Sequence, residues 1–131
     1  MLLDTFGLMC FHNSAEPRHH DAAVFFQSAP ERLTHSYVLA EFVALAKGRH
    51  LQRPQFLDFV KVLQNNPLVE IVYVDEPLHR DALDFLRQRL DKSWSLCDAV
   101  SFLLMQRRGI TEALTADYHF EQAGFVRLLK P

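Results

Sequence analysis

Four acidic residues of this sequence are spaced so that they could share one site: Asp4, Glu41, Asp98 and Asp117. Asp4 and Asp117 each follow a short apolar stretch that is predicted to be a strand. The carboxyl ends of parallel strands meet at one edge of a sheet, so both side chains are expected there. Asp98 falls in the first turn of a predicted helix, and Glu41 lies on the rim of an apolar helical face.

Carboxylates held close together raise one another's pKa unless a cation lies between them. Oxygen ligands of this kind suit Mg²⁺ or Mn²⁺, which bind through a few carboxylates and keep part of their water. Such a cation can activate water and neutralise the charge of a phosphate during an in-line displacement. An acidic metal site without a nucleophile motif therefore indicates hydrolysis of phosphodiester bonds.

Each acid also has an ordinary structural explanation. Asp4 could cap the helix that follows it, and Asp117 could cap the turn that begins at Tyr118. Ser95 and Asp98 have the spacing of a capping box, and a helix N-terminus favours a carboxylate in any case. Glu41 could be an exposed residue at the border of the apolar stripe. The functional interpretation therefore depends on the coincidence of all four acids.

The elements that must position these residues are short strands alternating with helices. Strands are predicted at 2–3, 33–34, 69–74, 112–115 and 125–129. Helices are predicted at 7–12, 18–28, 36–47, 55–63, 75–90, 95–107 and 118–122, the first of them being a short helix or turn. This alternation predicts an α/β fold with a mostly parallel sheet covered on both faces.

Four blocks of sequence carry a more specific pattern: LDT at 3–5, TxSYxLxE at 34–41, WSLxDAxSF at 94–102 and LTxDxHFExAGF at 114–125. The pattern resembles the PIN domain. It is most similar to the PIN-domain ribonucleases that serve as VapC-type toxins of bacterial and archaeal toxin–antitoxin pairs. The resemblance covers essentially the whole chain, and the last two blocks are its most specific part.

The resemblance implies a PIN-like three-layer α/β/α sandwich, built as a single domain over residues 1–131, with the acids around Mg²⁺ or Mn²⁺. Asp4 and Asp98 are expected to be direct metal ligands, and Asp117 a ligand directly or through water. Glu41 is expected to orient or help activate water, or to complete the shell of the metal. Hydroxyl groups beside these acids are expected to hold the carboxylates in place; they belong to Thr5, Ser95 and Thr115.

By this resemblance the protein is expected to be a metal-dependent endoribonuclease that hydrolyses RNA phosphodiester bonds by metal-activated water. It is also expected to be the toxin of a type II toxin–antitoxin system, with a small cognate antitoxin protein as partner, and to form a homodimer. Two alternatives stay open. One is a PIN-fold nuclease or RNA-processing factor that acts on another nucleic acid, and the other is a non-catalytic PIN-fold binding module.

Two residues depart from the family pattern. Phe6 follows Asp4 and Thr5 where a small residue is more usual, and could narrow the entrance to the site or only add to the core. Cys97 lies where a threonine is often seen, which puts one hydroxyl contact in doubt but not the metal site. His119 could approach the metal, although a solvated turn residue is the favoured interpretation.

The composition supports a globular protein without a strongly basic surface. The chain has 131 residues, 49% hydrophobic and 23% charged, which suits one domain and excludes disorder. Fourteen basic and sixteen acidic residues give a net charge of −2. With the four acids set aside, the remaining surface is slightly positive, which can admit a phosphate polymer but does not have the charge of a typical nucleic-acid-binding surface.

The character of the first residues and the small number of cysteines both favour a cytoplasmic protein. The apolar runs are too short to span a bilayer, and the acidic start with Asp4 is not expected to be a signal peptide. Two cysteines are too few for a disulfide framework, so we expect a reducing compartment.

Overall fold

The structure, a computed structural model, describes residues 1–130 of the chain. Its strands are β1 (Leu2–Leu3), β2 (Arg32–His35), β3 (Val69–Val72), β4 (Glu112–Leu114) and β5 (Val126–Arg127). They form one sheet in the order β3-β2-β1-β4-β5, and every neighbouring pair is parallel. The predicted sheet is therefore confirmed, and it is entirely parallel.

Seven helices connect the strands within residues 1–130. They are α1 (Thr5–His12), α2 (His19–Ser28), α3 (Ser36–Gly48), α4 (Arg53–Asn65), α5 (Glu76–Arg87), α6 (Leu96–Arg108) and α7 (Tyr118–Gln122). They cover both faces of the sheet, which confirms the predicted three-layer α/β/α arrangement. None of these helices has the length and apolar character that crossing a membrane requires.

The two residues of β1 are fully buried because helices cover both faces of this central strand. Leu3 packs with Leu114 in the core formed with α1 to α4. Leu2 packs with Ala113 in the core formed with α5, α6 and α7. Successive strand residues face opposite sides of a sheet, so a short strand without polar residues is the pattern expected at the middle of this fold.

Helix α1 begins at Thr5, two residues before the predicted start. Asp4 is extended, with φ −91° and ψ 167°, and its carbonyl accepts a hydrogen bond from the N–H of Leu8 at 2.9 Å. Strand β1, Asp4 and α1 therefore follow one another without a loop. This tight connection fixes the direction in which the Asp4 side chain leaves the sheet.

Strand β3 ends at Val72, two residues before the predicted end. The N–H of Val74 donates to the Ser36 hydroxyl at 2.9 Å, at the start of α3. The backbone here pairs with a side chain instead of the neighbouring strand, which ends the ladder.

Gly7 lets α1 lie directly against the backbone of β4. A Cβ at position 7 would lie 1.9 Å from the carbonyl oxygen of Leu114. We expect Gly7→Ala to lower the free energy of unfolding by about 3 kcal/mol, because the helix must move away from the strand. Urea denaturation would measure this change.

Gly48→Ala is the matched control for Gly7→Ala. A Cβ at position 48, at the end of α3, would meet no atom within 4 Å. We expect this variant to be neutral or slightly stabilised, because alanine is the better helix former. Equal urea midpoints for the two variants would show that the close contact between α1 and β4 is absent.

Candidate active site at the carboxyl edge of the sheet

Three of the four predicted acids lie together where the strands end. Asp4 follows β1, Asp117 is the residue before α7, and Asp98 lies in the first turn of α6. Asp4 and Asp98 are 6% and 8% exposed, while Asp117 is half-buried. Glu41, on α3, is an exposed residue whose charge still acts on Asp4.

Thr115 joins the two acids that follow strands. Its hydroxyl donates to Oδ2 of Asp4 at 2.8 Å and accepts from the N–H of Asp117 at 3.0 Å. Thr115 is fully buried, so this hydroxyl is shielded from competing water. The side chain of Asp4 does not cap α1, although the backbone N–H of Thr5 donates to it. A contact across 111 positions of the chain also holds it.

Asp98 and Asp117 do cap helices. The N–H of Ser95 donates to Oδ2 of Asp98 at 3.0 Å, and the Ser95 hydroxyl accepts from the N–H of Asp98 at 3.0 Å, which completes a capping box. Oδ1 of Asp117 accepts from the N–H of His119 at 2.9 Å. Capping and a metal site are compatible here, because each cap fixes a carboxylate that also faces its neighbours.

His119 belongs to this group of side chains. Its Nδ1 lies 3.2 Å from Oδ2 of Asp98 and 3.4 Å from Oδ1 of Asp117. The ligand-type atoms of these three residues all lie within 4.8 Å of one another. The interpretation of His119 as a solvated turn residue is therefore wrong. The signal available in the sequence was its position two residues after Asp117, on the short helix that Asp117 caps.

Burial raises the pKa of Asp4 to about 7, against the lowering effect of its hydrogen bonds from Thr115 and from the backbone of Thr5. The nearby charges of Asp98 and Glu41 raise it further. Burial is also the main cause that raises the pKa of Asp98, and the charge of Asp117 adds to it. Two carboxylates at this edge are therefore costly to ionise in the protein alone.

Cys97 lies beside the acids and stays a thiol. Burial, followed by the charges of Glu41, Asp4 and Asp98, raises its pKa well above the ordinary value. A protonated, buried thiol is neither a nucleophile nor a ready metal ligand. The structure shows Cys97 packed in the core beside α3.

Comparison with known proteins identifies the family. The model of the PIN domain matches residues 1–126. This chain belongs to the PIN domain family. Curated relatives include the 23S rRNA-specific endonuclease VapC20 of two strains of Mycobacterium tuberculosis, CDC 1551 / Oshkosh and ATCC 25618 / H37Rv. Each is 27% identical over 129 residues, which cover 98% of this chain and 97% of the relative.

The crystal structure of Mycobacterium tuberculosis VapC20, described as a sarcin–ricin loop cleaving toxin, matches the PIN domain described here with a TM-score of 0.86. The match is 27% identical and covers 99% of this chain and 98% of that one. The resemblance seen in the sequence is thus confirmed: the chain is a homologue of VapC-type PIN ribonuclease toxins. Nucleases with this domain are hydrolases that act on phosphodiester bonds and generally use a divalent metal.

The residues of this PIN domain fit such a cation. Their donors are mainly carboxylate oxygens, which Mg²⁺ and Mn²⁺ prefer. Within residues 1–130 no lysine or arginine forms an ion pair with Asp4, Asp98 or Asp117, and His119 is the basic group that two of them contact. The protein itself therefore leaves most of this buried negative charge uncompensated.

The Thr5 hydroxyl is a second sign of a missing partner. It is buried and has no hydrogen-bond partner among residues 1–130, and Thr5 contacts Asp4 through its backbone N–H. Leaving a buried hydroxyl unpaired costs about 1–3 kcal/mol. A hydrated cation beside Asp4 would bring water that this hydroxyl can bond.

Phe6 adds to the core of the PIN domain. Its ring packs partly buried against the cluster formed with α1 to α4. The guanidinium groups of Arg18 and Arg49 lie 5.7 Å and 5.4 Å from the ring centre. Phe6, which takes the place of the usual small residue, is therefore accommodated by cation–π packing with these two arginines.

Proposed function

We propose that this protein hydrolyses phosphodiester bonds of RNA as the toxin of a type II toxin–antitoxin system. Its active site is the carboxyl edge formed by Asp4, Glu41, Asp98 and Asp117. The observation that carries the proposal is the assembly of three acids from distant parts of the chain, linked by hydrogen bonds through Thr115 and through the ring and backbone of His119. Helix capping explains two of these positions but not Asp4.

Asp4 and Asp98 would hold Mg²⁺ or Mn²⁺ directly, and Asp117 directly or through water. Bound there, the cation supplies activation of water and neutralisation of phosphate charge. The hydroxyl of Thr115 and the backbone and hydroxyl groups of Ser95 keep two of the carboxylates in place.

Glu41 lies in a more solvent-exposed environment than the other three acids. It is exposed, whereas Asp4 and Asp98 are buried. A carboxylate in contact with solvent can orient water, accept its proton and release that proton to bulk water. We assign this role to Glu41. Hydrolysis by activated water requires no covalent intermediate on the protein.

A small antitoxin protein and a second copy of the chain are the proposed partners. Large apolar side chains near α4 and β3 are exposed and offer surface for such contacts; they include Val62, Leu68 and Tyr73, which are 64%, 65% and 61% exposed. We further propose that residues 1–131 form a single domain and that the protein works in the cytoplasm, where its RNA substrate and antitoxin are found.

The relatives suggest where to look for the substrate. VapC20 is named as an endonuclease specific for 23S rRNA and as a toxin that cleaves the sarcin–ricin loop. We propose structured ribosomal RNA as the substrate class, with that loop as the first candidate.

Sequencing of RNA ends after incubation of total bacterial RNA with the purified protein and Mn²⁺ tests the proposal. We expect discrete new ends that disappear when EDTA is added. A synthetic sarcin–ricin stem–loop and its DNA counterpart, tested in parallel, distinguish the ribonuclease from a nuclease of another specificity. Cleavage of the DNA alone, or no new ends in any sample, would contradict the proposed function.

A further inference from the structure

We propose that His119 is a positioning residue of this site: its ring forms a hydrogen bond with Asp98 and lies beside Asp117, which its backbone N–H holds, and this keeps both carboxylates in the orientation that receives the cation. The inference rests on the proposed function, because it concerns the same metal site. It assigns to the imidazole ring a task that the four acids cannot perform on one another.

The placement of His119 allows it to reach two elements at once. It lies on α7, one residue into the helix that Asp117 caps, and its ring extends to the first turn of α6. Its Nδ1 faces Asp98 at 3.2 Å and Asp117 at 3.4 Å. The ring thus forms a hydrogen bond with Asp98 while it lies against Asp117, and this offsets the repulsion between the two carboxylates before a cation arrives.

Each of the two carboxylates is contacted through one of its oxygens. On Asp98 the hydrogen bonds from the Ser95 backbone and from His119 both fall on Oδ2. On Asp117 the backbone N–H and the ring of His119 both face Oδ1. Oδ1 of Asp98 and Oδ2 of Asp117 take no part in these contacts and would remain available to a cation.

Ser93 is placed to support the ring form that this role requires. Its hydroxyl lies 3.3 Å from Nε2 of His119. When the hydroxyl donates to Nε2, the ring carries its hydrogen on Nδ1, which can then donate to Asp98. The pair Ser93–His119 therefore acts on the metal site without touching the metal.

Titration of the RNA-free protein with Mn²⁺ by calorimetry tests the inference. We expect His119→Ala to weaken Mn²⁺ binding about 10-fold, as is typical when a group that orients a metal-binding carboxylate is lost. His119→Asn should restore most of the affinity, because its amide nitrogen takes the place of Nδ1. His119→Gln should not, since its amide nitrogen takes the place of Nε2. Ser93→Ala should weaken binding less than His119→Ala.

Two measurements separate positioning from a general structural role. Thermal unfolding in EDTA shows whether each variant folds, and His20→Ala, an exposed histidine on α2, controls for loss of a histidine elsewhere. In cleavage assays, His119→Ala should raise the Mn²⁺ concentration for half-maximal rate about 10-fold, while the rate at saturating Mn²⁺ stays close to that of the wild type.

The outcomes distinguish this inference from the proposed function. Wild-type protein that binds no Mn²⁺ would overturn both. Wild-type binding that His119→Ala leaves unchanged would overturn the positioning role alone. Failure of His119→Asn to restore affinity, together with a selective loss of Zn²⁺ or Co²⁺ binding in His119→Ala, would overturn it as well, because His119 would then be a direct ligand.

Discussion

Asp98→Asn is expected to lower the rate of RNA cleavage about 10³-fold while the protein still folds. The substitution removes one charge from the group that would hold the cation and keeps the size of the side chain. Loss of several kcal/mol of charge stabilisation in the transition state corresponds to a rate change of this order. Initial rates on an RNA that contains the mapped cleavage site would measure the effect.

The fold should survive because the capping box does not require a carboxylate. The Ser95 hydroxyl would still accept from the backbone N–H of residue 98, and the amide oxygen of asparagine can accept from the N–H of Ser95 in place of Oδ2. We expect the free energy of unfolding to change by about 1 kcal/mol or less. Burial also raises the pKa of Asp98, so removal of its charge relieves part of the cost of burying it.

Asp58→Asn is the matched control for Asp98→Asn. It makes the same chemical change on the exposed face of α4. We expect cleavage at the wild-type rate from this variant. Wild-type cleavage by Asp98→Asn itself would show that the acidic edge is not the active site, whatever the RNA substrate.

The order and type of the elements could be predicted from the sequence because strong local signals determine them. Apolar stretches between helical patterns mark the strands. The central strand Leu2–Leu3 can be short because helices bury both of its faces. The boundaries depend on contacts between distant segments. The start of α1 is coupled to the fit of Gly7 against Leu114, and the end of β3 depends on the Ser36 hydroxyl. Neither contact can be read from local spacing.

The acids of the site were predictable by type and position, but their partners were not. Asp4 receives a hydrogen bond from Thr115, 111 residues away, and only the parallel pairing of β1 with β4 brings the two together. His119 is the residue that sequence reasoning undervalued. A histidine in a short helix is usually solvated, and its contact with Asp98 depends on how α7 packs beside α6.

Asp4 should make the metal-free protein less stable as the pH rises. Burial raises its pKa from an ordinary value of 3.8 to about 7. Below about pH 3.8 both the folded and the unfolded states hold the proton, and above about pH 7 neither does. Between these values only the folded state binds it, so stability is lost through this window. At about 1.4 kcal/mol per pKa unit, the loss is on the order of 4 kcal/mol.

Asp4→Asn removes this pH dependence. In EDTA, we expect the variant to match the wild type near pH 4 and to exceed it in stability by a few kcal/mol near pH 8, because asparagine carries no charge to bury. Urea denaturation across this range measures the difference, in which the titration of groups remote from Asp4 cancels. Asp58→Asn should show no such trend. A difference between Asp4→Asn and the wild type that does not change with pH would contradict a desolvated carboxylate at position 4.

A bound cation should reverse the order of stability. The charge that is costly to bury in EDTA attracts Mn²⁺, so near pH 8 the wild type gains stability with the metal concentration, about 2.7 kcal/mol at a hundredfold excess over Kd. Asp4→Asn should gain little, since it lacks the charge. A residue that destabilises the metal-free PIN domain would then contribute directly to metal binding. Equal stabilisation of both proteins by Mn²⁺ would show that Asp4 is not a ligand, even if the trend in EDTA is as expected.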